Sequence, residues 1–347
     1  MAAVALAAAA AVAVFMLVKS SPPGASRPRA APQPPGTTAL APSAPAPTPA
    51  TTVNPAVGPA MPGHGAYIGA YVEPATYSES DKIAAVQAFQ SQLGRRLDIV
   101  HSYLKWWVPF PGPGQQAIMD QGSILLLSWT SGGTRAIASG RDDGWIRRQA
   151  RAMKAAHRPI LLEWRWEMNR SVLYSQVGTP AEYVAAWDHI RSVFHQEHVR
   201  NVAWVWCPTS KGFEVNGPAY YPGNSEVDWL CADIYPPAYP YTPFVDLADP
   251  FLAWAAHIAK PVMIGEYGAP ITYSPQQRAA WLLGVAQLAR LDPQIKALVY
   301  FDGNPPANPR YGQYALDPGS APLRAFRRIA REPYFNPSRP PGSGGPG

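Results

Sequence analysis

Between residue 65 and about residue 331 the chain alternates short apolar runs with amphipathic, capped segments, eight of each when short helices are counted. The runs are 66–72, 97–104, 123–129, 159–167, 201–207, 227–235, 261–266 and 295–301. They are rich in Val, Ile, Leu, Trp and Tyr and nearly continuous in apolarity, as strands buried on both faces of a parallel sheet must be. The clearest helical segments are 80–93, with Ser80 as N-cap and Gly94 as stop, then 142–156, 180–198 behind Thr179, 274–291 and 321–331. Alternation of this kind predicts a parallel sheet with helical crossovers, and eight repeats predict that it closes into a (β/α)8 TIM barrel. An open doubly wound sheet is the competing architecture, but no glycine-rich phosphate loop follows the first run.

Composition separates this body from its ends. Of the 41 prolines, 13 fall in the first 62 residues and four in the last dozen, a far higher density than in the body between, and so proline-rich a chain cannot bury enough apolar surface to fold. Residues 63–335 are expected to form one catalytic domain, residues 336–347 a disordered tail, and residues 20–62 a disordered Pro/Ala-rich linker. Residues 2–18 are almost wholly apolar, which predicts a signal peptide or membrane anchor over 1–19. No Lys or Arg precedes that stretch, while Lys19, Arg27 and Arg29 follow it; this charge order fits an uncleaved anchor or a basic region lost from its start. Either way the protein is expected to be secreted or tethered to the envelope, and a monomer.

The formal charge of +6 is spread along the chain without a basic run, so no nucleic-acid partner is expected. Twelve Trp and seventeen Tyr supply flat rings with polar handles of the kind on which sugars stack, although most such rings serve a core. His195 and His198 fall on the polar face of a helical segment rather than in a metal-ligand pattern, and no metal or cofactor is expected. Cys207 and Cys231 lie on neighbouring predicted strands, where a bridge or two buried thiols are both open.

The chemistry sits at two strand ends. Residues 159–170, PILLEWRWEMNR, open as an apolar strand and close on charge; strand alternation puts Glu163, Arg165 and Glu167 on one face and Trp164, Trp166 and Met168 on the other. Residues 260–269, KPVMIGEYGA, repeat the plan and close on Glu266. In a barrel the active site lies at the carboxyl ends of the strands. Glu167 and Glu266 are both predicted there, with Trp129, Cys207, Tyr235 and Asp302. Two such carboxyls are the equipment of a glycosidase, one protonating the leaving oxygen and the other attacking the sugar carbon or activating water. Glu163 is read as an ion-pair partner of Arg165, while Glu167 could itself be held by Arg165 or Arg170. Asp233 reads equally as an orienting group and a polar plug. Glu73 and Asp302 are rim candidates for hydroxyl contacts, and one of Trp106 and Trp107 should turn into the core.

With these residues in place the chain resembles glycoside hydrolase family 26, retaining (β/α)8 enzymes best known as β-mannanases. The resemblance rests on LSW at 127–129, WEMN at 166–169, GTPAEYVAAW leading into NVAWVWCP, YPGNSEVDWLCADIY at 221–235 and GEYG at 265–268. It implies Glu167 as acid/base, Glu266 as nucleophile and Tyr235 as the tyrosine that orients the nucleophile. Trp129 and Trp206 resemble aromatics of the sugar cleft, and Trp107, Trp166, Asn169, Asp233 and Tyr267 complete the expected substrate contacts. The sequence departs from the family where Trp166 and Glu163 replace the usual His and Arg before the acid/base, where Arg170 replaces a common Gly, and where the eighth strand ends Tyr300, Phe301, Asp302. The implied activity is retaining endo-β-glycosidase, on β-1,4-mannan first. A β-1,3/1,4-glucanase, a β-1,3-xylanase and a non-catalytic wall-polysaccharide-binding barrel are the alternatives.

Overall fold

The computed structural model describes residues 58–59, 61–130, 132–304 and 312–337. The 1–19 segment, nearly all of the 20–62 linker and the tail beyond 337 lie outside the described residues. Eight strands, β1 (Tyr67–Val72), β2 (Ile99–Lys105), β3 (Ile124–Thr130), β4 (Ile160–Trp164), β5 (Val202–Trp206), β6 (Trp229–Ile234), β7 (Val262–Tyr267) and β8 (Ile295–Asp302), pair in parallel in chain order. The sheet closes where β8 meets β1, giving the expected (β/α)8 barrel.

Among the described residues ten α-helices accompany the strands: α1 (Glu79–Leu93), α2 (Pro113–Asp120), α3 (Thr134–Ala138), α4 (Asp143–Ala155), α5 (Tyr174–Val177), α6 (Pro180–Gln196), α7 (Phe213–Asn216), α8 (Phe244–Ala255) and α9 (Pro275–Leu291) between strands, and α10 (Ala321–Arg331) after β8. Local chemistry explains where the long ones start. Thr179 and Ser274 each accept the N–H three residues on, while Glu182 and Gln277 reach back to the cap backbone. The cap of α1 is Ser78, which accepts from Asp81 N at 3.2 Å, and not Ser80. The Pro- and Gly-rich stretch after β2 contains α2, whose Pro113 needs no donor in the first turn. β4 stops at Trp164, three residues before its predicted end, because Arg165 and Glu167 take left-handed φ values of 55° and 51°.

Alternation along the strands sorts the core into two layers. Tyr67, Ile99, Leu126, Leu161, Val205, Cys231, Met263 and Val299 point into the barrel. Their neighbours Ile68, Val100, Leu127, Leu162, Trp206, Ala232, Ile264 and Leu298 point outward against the helices. Cys207 and Cys231 form a disulfide inside the barrel, resolving the choice that the sequence left open. Among the described residues no helix is long and apolar enough to cross a membrane.

Candidate active site

The floor of the site follows from carrying the inward alternation two to four residues further along each strand. It places His101 and Tyr103 of β2, Ser128 of β3, Glu163 of β4, Asp233 of β6 with Tyr235 just beyond its end, and Phe301 of β8 toward the mouth. β7 reaches the same place by an irregularity. Ala232 pairs with Ile264 and Asp233 with Glu266, so Gly265 is an extra residue without a partner on β6. This bulge lets Gly265 and Glu266 both face inward before Tyr267 turns out. Gly265 must be glycine, since a Cβ there would stand 2.4 Å from Cys231 Sγ and 2.9 Å from Cys207 Sγ.

Glu266 is buried at 7% exposure, and both its oxygens are held. Tyr103 donates to Oε1 at 2.5 Å and Tyr235 to Oε2 at 2.9 Å. Burial, followed by the charge of Glu167, pushes its pKa above the usual carboxylate range, while the two phenols and Arg170 pull it back. The Tyr235 contact expected from the family resemblance is therefore present; the Tyr103 contact is a second one of the same kind.

Glu167 stands on irregular backbone beyond β4. Its N–H donates to Cys207 O at 2.7 Å, and Arg165 N donates to Trp129 O at 3.2 Å, so the segment is tied to the ends of β5 and β3. Asn169 completes the brace, with Nδ2 donating to Thr209 O and Oδ1 accepting from Thr209 N. The Glu167 carboxylate pairs with Arg170 Nη1. The two acids face one space: the Glu167 charge acts on Glu266, and Tyr103, which holds Glu266, lies 5.2 Å from the Trp166 ring.

Beneath them lies a buried polar layer. Ser128 donates to Glu163 and shares a 2.6 Å bond with His101 Nε2. Burial lowers the His101 pKa to about 3, leaving the ring neutral, and raises those of Glu163 and Asp233. Glu163 is not held by Arg165 as expected; Arg165 Nη2 instead donates to Gln176 on α5. The layer thus carries little charge of its own, which a low-dielectric interior requires. Glu163, Cys207 and Cys231 bring potential ligand atoms within 4.8 Å of one another, but the two sulfurs are bonded together and neither is a thiolate.

Several expected substrate contacts are elsewhere. Trp129 is fully buried and stacks on Trp106 at 4.1 Å. Trp206 packs against Trp254 of α8 and donates to Tyr220 O. Tyr267 packs on Trp281 of α9 and on Phe244. All three point outward, so none is open to a sugar. Trp164 likewise turns from the acids and stacks on Tyr183 of α6, and the Asn169 side-chain amide is spent on Thr209. Asp233 is wholly buried in the floor.

Trp166 remains at the mouth against Tyr103. Trp107 is 63% exposed on the rim beside Trp145, while Trp106 is buried. Glu73 and Asp302 brace loops, accepting from Asn304 N and Leu316 N, and burial raises Asp302 to about 7. The rings that do line the mouth, Tyr71, Tyr103, Tyr235, Phe301 and Tyr314, form a contiguous set: Tyr71 stacks on Phe301 at 4.9 Å and Tyr235 lies 4.7 Å from Tyr314. Of these only Tyr235 was anticipated, and strand parity was the available signal for Tyr71, Tyr103 and Phe301.

A closed (β/α)8 barrel with acids gathered at the carboxyl ends of its strands is the class that fold and site define. Within that class the chain resembles glycoside hydrolase family 26. The catalytic domain of a Bacillus sp. JAMB-750 family 26 endo-β-1,4-mannanase superposes with a TM-score of 0.60 at 17% identity, covering 78% of this chain and 87% of that one. A Bacteroides ovatus family 26 β-mannanase gives 0.58 at 14% identity, covering 78% and 90%. Endoglucanase H of Acetivibrio thermocellus is 34% identical over 165 residues, 44% of this chain and 18% of that protein, so the chain spans a small part of that relative. No family model matches the chain.

Proposed function

We propose that the protein is a glycoside hydrolase of family 26, an endo-β-glycosidase that acts by double displacement with retention. The observation that carries this reading is a buried carboxylate, Glu266, gripped by two phenols and facing a second carboxylate, Glu167, across one barrel mouth. Glu266 attacks the anomeric carbon while Glu167 protonates the departing oxygen; Glu167 then takes a proton from water, which releases the sugar from Glu266. Tyr103 and Tyr235 hold the nucleophile's oxygens in the direction of attack and favour its ionised form. The aromatic set around Tyr71, Trp166 and Phe301 offers apolar faces for sugar rings.

β-1,4-Mannan is the first substrate candidate, because the superposed structures are those of mannanases. β-Glucan is the alternative favoured by the match to an endoglucanase. A polysaccharide working outside the cell fits residues 1–62 as an export or tether segment, with the substrate as the sole partner. The test is reducing-end release from a panel of β-glycans, with the anomer of the first product followed by NMR. New reducing ends with a β-anomer first are expected. Binding to the glycans without cleavage would instead mark a non-catalytic barrel, and an α-anomer would rule out retention.

A further inference from the structure

Arg170 is a charge at the mouth that the reaction does not use, and its resting contact opposes the reaction. Its Nη1 pairs with Glu167 Oε2, so at rest the guanidinium occupies the oxygen from which the general acid must reach the glycosidic oxygen. The other titratable groups facing Glu167 are acids: Glu266 from β7, Asp233 from β6 and Glu163 from β4. Arg170 is the cation set against them, acting on Glu266 and Asp233 as well as on Glu167. Its side chain is 38% exposed, against 13% for Glu167, so the guanidinium is the member of the pair that a ligand arriving at the mouth can reach. What would draw it away is an anion that arrives with the substrate. The acid/base faces the leaving-group side, so that anion must sit on the departing sugar.

Resting on the reading of Glu167 as acid/base, we propose that Arg170 binds a carboxylate carried by the leaving-group sugar. Its transfer from Glu167 to the substrate frees the acid to act. The substrate class is then a uronate-bearing β-glycan, since the planar guanidinium fork matches a carboxylate in bidentate fashion. The chemical step is unchanged. Glu167, released from its cation, delivers the proton it gained in the preceding deglycosylation to the glycosidic oxygen as the C1–O bond breaks and the bond from C1 to Glu266 forms. The substrate carboxylate stays ionised throughout.

The experiment measures kcat/KM and its pH profile for the wild type, Arg170→Ala and Arg170→Lys on β-1,4-mannan and on the same polymer oxidised at C6 to the uronate. The wild type should prefer the oxidised polymer. Arg170→Ala should lose about 10-fold or more on that polymer, as expected for removing a charge-assisted contact, and clearly less on neutral mannan. Arg170→Lys should keep the preference in part, retaining charge without the fork. A wild type indifferent to oxidation, or an Ala variant that loses equally on both polymers, overturns the proposal and leaves the glycosidase reading standing. Cleavage of neither polymer overturns this proposal together with the mannanase assignment.

Discussion

The ends of β4 and β7 carry one acid each and hold it in opposite ways. At β7 the chain stays in the sheet: one bulge turns Glu266 inward, and two tyrosines from β2 and β6 fix both oxygens in a buried pocket. At β4 the strand has already ended, and Glu167 stands on left-handed backbone, tied by main-chain bonds to the ends of β3 and β5 and paired with a partly exposed arginine. An attacking group must hold one direction and stay dry, which a strand inside a barrel supplies. A proton carrier must meet both the leaving oxygen and the incoming water, which irregular backbone beyond the strand end at the barrel mouth allows.

The largest expected effect removes the attacking side of this contrast. Glu266→Ala should lower polysaccharide cleavage by more than ~10⁴-fold, the scale seen when a covalent nucleophile is lost. The loss should be as severe on activated aryl glycosides, whose leaving group needs no acid. Glu167→Ala should fall by ~10²–10⁴-fold on polysaccharide, the usual worth of general acid–base help, and much less on aryl glycosides in the glycosylation step. Equal losses on both substrates in the two variants would erase the distinction between the strand ends.

The tyrosines sharpen the same comparison. Tyr103→Phe and Tyr235→Phe each remove a hydrogen bond to a charged group, about 1.5–3 kcal/mol, or ~10–100-fold in kcat/KM. The sign on pH follows from the cause. Both bonds lower the raised pKa of Glu266, so removing either raises it further and moves the acid limb of the profile to higher pH. A limb that stays in place would detach these phenols from the nucleophile. In the wild type that limb should already lie above the ordinary carboxylate range.

Two smaller effects concern the scaffold. Gly265→Ala forces a methyl against the disulfide, a local overpacking that should cost about 1–3 kcal/mol and lower the melting temperature. Trp129→Phe, on the outer layer, should cost roughly 1–2 kcal/mol of stability through lost burial and leave KM for polysaccharide as it was. A raised KM there would mean that the ring reaches the substrate after all.

The barrel was legible because its signals are local. Eight apolar runs, the caps at Thr179 and Ser274 and the acid closing each of two strands can be read within a few residues of one another. The positions of Glu167, Glu266 and Tyr235 at the mouth followed from strand order. Face was the harder question. Trp129, Trp206 and Tyr267 close their strands as Glu266 does, yet point to the helices, while Tyr103 and His101 drew no notice in the sequence and stand beside Glu266. Counting parity from Leu126 and Val205 would have turned Trp129 and Trp206 outward. For Tyr267 it would have failed, because the bulge at Gly265 shifts the count by one.

The sequence by itself therefore determined the architecture and the two chemical ends, since periodicity, capping and strand-end charge act over short stretches of chain. Only the tertiary structure decided which side chains share the cavity, that Cys207 bonds Cys231, and that Arg170 rather than Arg165 is the partner of Glu167. These depend on register between strands distant in sequence, and a one-residue slip of register exchanges the inside of a barrel for its outside.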